Sequence, residues 1–140
     1  MPIVEHRSLP EKPWRPNYRS YDITRDGDGT TTSSVSWALV GTGAGAPLHF
    51  HEAEEFIVVQ EGTLEFRLGS ETHRVGPEHT VVVPARTPHG FINPGPGTAR
   101  ILAFFPVKDP FLGTTYLEGD PPASHRGRSR IRHDSPGGGS

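Results

Sequence analysis

"PLHFHEAEEFIVVQEG", residues 47–62, sets two histidines and three glutamates directly against the apolar run Phe56–Val59. Buried charge must be paired or bound to something, so the directions of His49, His51, Glu52, Glu54 and Glu55 decide what this stretch is for. In an extended strand, side chains two apart share a face. His49, His51 and Glu55 therefore point one way if the segment stays extended, and Glu52 and Glu54 point the other way, to solvent. Two imidazoles and a carboxylate turned into an interior would be prohibitively desolvated without a compensating cation. The donor set suits one divalent transition metal: iron, manganese, cobalt, nickel, copper or zinc. It is not the zinc-protease pattern, because Glu55 stands where that motif requires its second histidine.

The rest of the chain says what carries this stretch. At 140 residues it has the length of one domain with a real core, and 15 prolines with 17 glycines against 32% apolar residues favour short strands joined by turns over a helical bundle. A net charge of −2 gives no footprint for nucleic acid or an anionic membrane, and no apolar run approaches the ~20 residues of a bilayer span. There is no cysteine for disulfides or thiolate-bound zinc. "MPIVEHRSLPEKPW" has neither the basic start nor the apolar stretch of a secretory signal, so a cytoplasmic location is expected.

Residues 1–17 hold four prolines and no periodicity and are expected to form an extended arm. Strands are expected at 19–25 and 30–40 across Asp26-Gly27-Asp28-Gly29, and at 55–60 and 63–68 as a hairpin across Glu61-Gly62. Further strands are expected at 72–75, 79–83, 89–93 and in "TARILAFFPV" (98–107). This spacing means an antiparallel sandwich or barrel over 18–117. Residues 118–140, almost without apolar content, are expected to be disordered. The fourth metal ligand is then His89, which follows the Pro84–Pro88 corner and opens a strand. His73 and His79 are alternatives without partner spacing, and His6, His125 and His133 fall in the arm or tail.

At this point the chain resembles a small single-domain cupin. The family's first motif is matched by Gly43, His49, His51, Glu55 and Gly62, and its second by Pro84, His89 and Asn93; Glu78 and Arg86 stand where that second motif has glycines. The resemblance covers residues 33–107 and implies an all-β, double-stranded β-helix (jelly-roll) barrel. It also implies a metal held by His49, His51, Glu55 and His89 with one or two positions open. Parity carried along the strands adds Ile57, Phe91 and Asn93 to the cavity, and Trp37 is expected there as well. An apolar, aromatic cavity with a metal at its base suits a small-molecule substrate that is an enolisable ketone or phenol: a diketone, a flavonol-like molecule or a poly-β-ketone. Three readings follow: a dioxygenase, placed first; a redox-neutral cyclase or isomerase with Glu55 moving the proton, as in aromatic-polyketide pathways; and a binding protein without catalysis. Arg67 and Arg86 are the nearest cations for an anionic substrate. The resemblance also implies a homodimer, with Trp14, Tyr18 and Tyr21 suited to a partner's barrel.

Overall fold

A computed structural model of the chain describes residues 3–123 and 130–131. Twelve strands form two facing six-stranded sheets. They are β1 (Lys12–Arg15), β2 (Tyr18–Asp22), β3 (Ser34–Val40), β4 (Gly45–His51), β5 (Glu55–Glu61), β6 (Leu64–Leu68), β7 (Glu71–Val75), β8 (His79–Val83), β9 (His89–Ile92), β10 (Ala99–Phe105), β11 (Thr114–Tyr116) and β12 (Arg130–Ile131). One sheet runs β1-β2-β3-β10-β5-β8 and the other β12-β11-β4-β9-β6-β7. All pairs are antiparallel except β11 with β12. Between the sheets pack Val40, Ile57, Val59, Leu64, Phe66 and Ile101, each 3% exposed or less. Burying a side chain of this size contributes roughly 1.5–3 kcal/mol, so this layer is the main stabilising term.

The apolar run of β5 serves both faces. Ile57 and Val59 enter the core, while Phe56 and Val58 lie half-buried outside, where the rings of Phe56 and Phe104 are 5.9 Å apart. The segment from His49 to Glu55 does not stay extended. β4 ends at His51 and β5 starts at Glu55 in the opposite sheet, so the two residues converge across a corner rather than along one strand. The Glu61-Gly62 turn is also not a hairpin, since β5 and β6 belong to different sheets. Gly62 has φ +76° and its missing Cβ would stand 2.8 Å from Ala99 Cα, so glycine lets the chain arch between sheets. The loop between β2 and β3 is wider than expected, because Asp28 accepts hydrogen bonds from Arg25 N, Thr30 N and Lys108 Nζ and ties it down. Strand β8 is an edge strand with only Val81 and Val83 buried.

The two motif positions without glycine keep the glycine conformation: Glu78 has φ 66° and Arg86 φ 61°. A left-handed backbone costs an ordinary residue roughly 1–2 kcal/mol, while glycine gives back roughly 0.5–1 kcal/mol in the unfolded chain. Glu78→Gly is therefore expected to stabilise the fold by about 0.5–1 kcal/mol, read as a higher denaturant midpoint. An unchanged or lower midpoint would show that position 78 is not strained.

Both ends of the chain make contacts with the barrel. The arm lies along the barrel: β1 pairs with β2 of the same chain, Leu9 is buried, and Trp14 and Tyr18 line the barrel's own cavity. Tyr21 stacks on the chain's own Trp37 at 4.3 Å. Within the expected tail, Pro121 and Pro122 are buried and Glu118 forms two hydrogen bonds to Arg67. Proline rings supply the burial that a count of aliphatic residues overlooked. Residues 124–129 and 132–140 of that tail lie outside the described residues. Truncation after Leu117 should lower Tm by about 5 °C or more, as loss of a kcal/mol or two implies for this length; an unchanged Tm would mean the prolines contribute nothing.

Candidate metal centre

Three imidazoles come from one sheet and the carboxylate from the other. His49 and His89 are directly opposed across β4 and β9, and His51 lies opposite Thr114 on β11. Glu55 opens β5 and faces them across the barrel. All four are buried, and one donor atom of each lies within 4.8 Å of all the others. Among the described residues, this is the group of histidines and acidic side chains arranged to hold an ion.

The outer nitrogens orient the rings. His49 Nδ1 donates to Pro47 O at 2.7 Å and His89 Nδ1 to Thr87 O at 2.9 Å. Carbonyl oxygens only accept, so these nitrogens carry the protons and the Nε2 lone pairs are left for the centre. His51 Nδ1 lies 2.6 Å from Thr114 Oγ1, and that hydroxyl donates onward to Pro110 O at 3.1 Å, which fixes His51 in the same tautomer. Burial holds the His49 imidazole well below the usual histidine range, helped by its neighbours His89 and His51, so it is neutral and ready to ligate. Burial pushes the Glu55 carboxyl up, but its contacts with His51 and His89 outweigh this and hold it well below the usual range. Glu55 Oε1 stands 3.0 Å from His89 Nε2 and 3.4 Å from His51 Nε2, so the carboxylate and the imidazoles converge on one point.

The donor chemistry fits a metal. Three inward nitrogen lone pairs, each on a ring held from behind by its own partner, and an anionic oxygen form a first-row transition-metal site with room for further ligands on the cavity side. Thr114→Val keeps the shape but removes the oxygen that receives the His51 proton. It should weaken metal affinity by about 10–100-fold, measured by competition with a chromophoric chelator; wild-type affinity would show that Thr114 does not orient His51.

The family model of the cupin domain matches residues 36–105. The chain belongs to the cupin family. None of the curated proteins matches it in sequence. Among solved structures it is similar to the polyketide cyclase RemF from Streptomyces resistomycificus, with 24% identity, TM-score 0.73, and coverage of 94% of this chain and 99% of that one. It is also similar to a sugar phosphate isomerase of the cupin superfamily from Silicibacter pomeroyi (21% identity, TM-score 0.71, 85% and 83% covered). KdgF from Halomonas sp. is a third (22% identity, TM-score 0.68, 78% and 96% covered). At these identities the likeness is one of fold.

In this cupin His49, His51 and Glu55 of the quartet line a cavity, with His89 fully buried behind them. Of the residues expected there, Phe91 and Trp37 line it, and Ile57 and Asn93 do not. Ile57 is 1% exposed, packed in the core and outside the lining. Asn93 spends its amide on the turn after β9: it donates to Val40 O and Gly97 O and accepts from Gly95 N, all within 2.9 Å. Trp37 borders the cavity through its place on β3, yet its ring packs outside with Leu9 and Tyr21, under the guanidinium of Arg100 at 4.1 Å. Ser36 and Ala38 line the cavity from β3 instead. The walls that alternation alone did not reveal are Trp14, Tyr18, Phe105, Phe111 and Tyr116, with Arg15 among them. Tyr116 stacks on His49 at 5.2 Å. The other described histidines lie elsewhere: His73 and His79 are exposed on β7 and β8, and His6 stacks on Trp37 outside the sheet.

Proposed function

We propose that this cupin is a metal-dependent enzyme that closes or isomerises a flat, enolisable small molecule of polyketide type by redox-neutral proton transfer. The observation that carries the reading is the cavity itself: a buried three-histidine, one-carboxylate set at the base of a chamber walled by aromatic rings. A divalent ion bound there would supply Lewis acidity toward a carbonyl oxygen. Trp14, Phe105 and Phe111 give a planar guest apolar faces and keep water from it. Burial raises the Tyr18 and Tyr116 phenols above their usual range, so both hydroxyls stay protonated and can donate to a developing oxyanion. Glu55 faces the guest as the carboxylate placed to accept a proton. The similarity to a polyketide cyclase over nearly the whole of both chains supports placing the redox-neutral chemistry first, the reverse of the order expected from the residues alone. The dioxygenase reading stands second, because the same donor set accommodates ferrous iron.

Oxygen separates the two. Protein loaded with zinc and, in parallel, with ferrous iron would be given a poly-β-ketone and a β-diketone with and without dioxygen. Ring closure by the zinc form without oxygen is the expected result. Turnover only with iron, consuming oxygen in step with product, would overturn the cyclase reading in favour of the dioxygenase. Tight binding without turnover under every condition would leave a binding protein.

A further inference from the structure

We infer that Arg15 is the anion-recognition residue of the cavity, and that the substrate carries, besides the oxygen offered to the quartet, a second anionic oxygen of carboxylate type. This deepens the proposed function and rests on the cavity being the substrate site. The first support is local geometry. Residues three apart on a regular strand face opposite ways, yet Lys12 lies opposite Ser20 and Arg15 opposite Tyr18, because the register of β1 against β2 shifts between them. Three residues on β1 thus span two on β2, a bulge, and a bulge re-aims side chains. Ser20 and Tyr18 share the inward face of β2, so both cations of β1 are brought to the cavity, which both line.

The two cations then differ. Lys12 is neutralised by Asp22 at 3.1 Å and lies over the rings of Trp14 and Phe111. The Arg15 guanidinium is 5.3 Å from the Tyr116 ring, and its Nη2 is buried without a hydrogen-bond partner. A buried guanidinium N–H left unpaired is costly, and the chemistry that best satisfies such a fork is a carboxylate. The acidic side chains lining the cavity are already engaged, Glu55 by His51 and His89 and Asp22 by Lys12, which leaves Arg15 without an acidic partner there. Arg67 and Arg86, the cations singled out in the sequence, lie outside this cavity. Arg67 pairs with Glu118, and the exposed Arg86 is 3.7 Å from Glu52.

The probes are 3- and 4-hydroxybenzoate and the matching carboxamides, titrated calorimetrically into metal-free and zinc-loaded protein. Wild type should prefer the better acid over its amide by about tenfold or more, the range of a charge-assisted hydrogen bond. Arg15→Met should bring acid and amide to within about twofold while leaving zinc stoichiometry and amide affinity unchanged; Arg15→Lys should restore part of the preference. Lys12→Met should leave the preference intact. Equal loss of acid and amide binding in Arg15→Met, or loss of the preference in Lys12→Met instead, overturns the assignment. If the quartet fails to hold zinc but the Arg15-dependent preference persists in metal-free protein, the proposed chemistry falls and the anion site stands.

Discussion

His49→Ala and His51→Ala should each purify with little of the roughly one divalent ion per chain expected for the wild type, while His73→Ala should keep it. Each alanine removes an imidazole whose outer nitrogen is already committed to Pro47 O or Thr114 Oγ1, so no rotation of a neighbour can replace the lost lone pair. What remains is two imidazoles and a carboxylate that reaches across from the facing sheet, a weaker set for a transition ion than the three imidazoles of one sheet. His73, exposed and 3.2 Å from Glu71 on β7, has no part in the set. Glu52→Gln and Glu54→Gln should match wild type, since both side chains are exposed at the corner between β4 and β5. Elemental analysis of protein purified without a nickel affinity step checks all five variants. Full metal content in His49→Ala would remove that residue from the site.

Glu55→Gln should leave metal stoichiometry near normal and lower turnover by at least about 10²-fold, the lower range for a general acid–base group. The three imidazoles of one sheet can hold an ion without it. Glu55 is the donor from the other sheet and the charge beside the cavity, and glutamine keeps its volume while removing that charge. A variant with normal metal and normal turnover would make Glu55 an ordinary ligand and leave proton transfer to the substrate or the tyrosines. A variant with no metal would show that the ion needs the carboxylate to bridge the sheets.

The metal ligands were legible because histidine, histidine and glutamate at short fixed spacings beside an apolar run are hard to bury together without an ion. The route to them was only half right: parity holds for His49 and His51 on β4, but Glu55 arrives from the facing sheet through a corner. Trp37 shows a limit of alternation. β3 is apolar on both faces, since Leu9 of the arm and Tyr21 of β2 cover its outer side, and pattern alone cannot tell which face looks inward. Gly62 shows another, because a glycine at positive φ serves a hairpin and an arch between sheets equally. Asn93 has the right parity but is consumed by its own turn. Arg15 was hidden by the bulge in β1, which breaks the period of two on which any inference of facing depends. The corner at Arg86 was preserved in conformation although its glycine was not.

The most direct test of the metal centre is an anomalous difference map from a crystal of the metal-loaded protein, collected on both sides of the ion's absorption edge. The expected result is one peak per chain, about 2.0–2.2 Å from Nε2 of His49, His51 and His89 and from a Glu55 oxygen. A loaded crystal with no peak among these four residues, or with its peak elsewhere on the chain, would contradict the account.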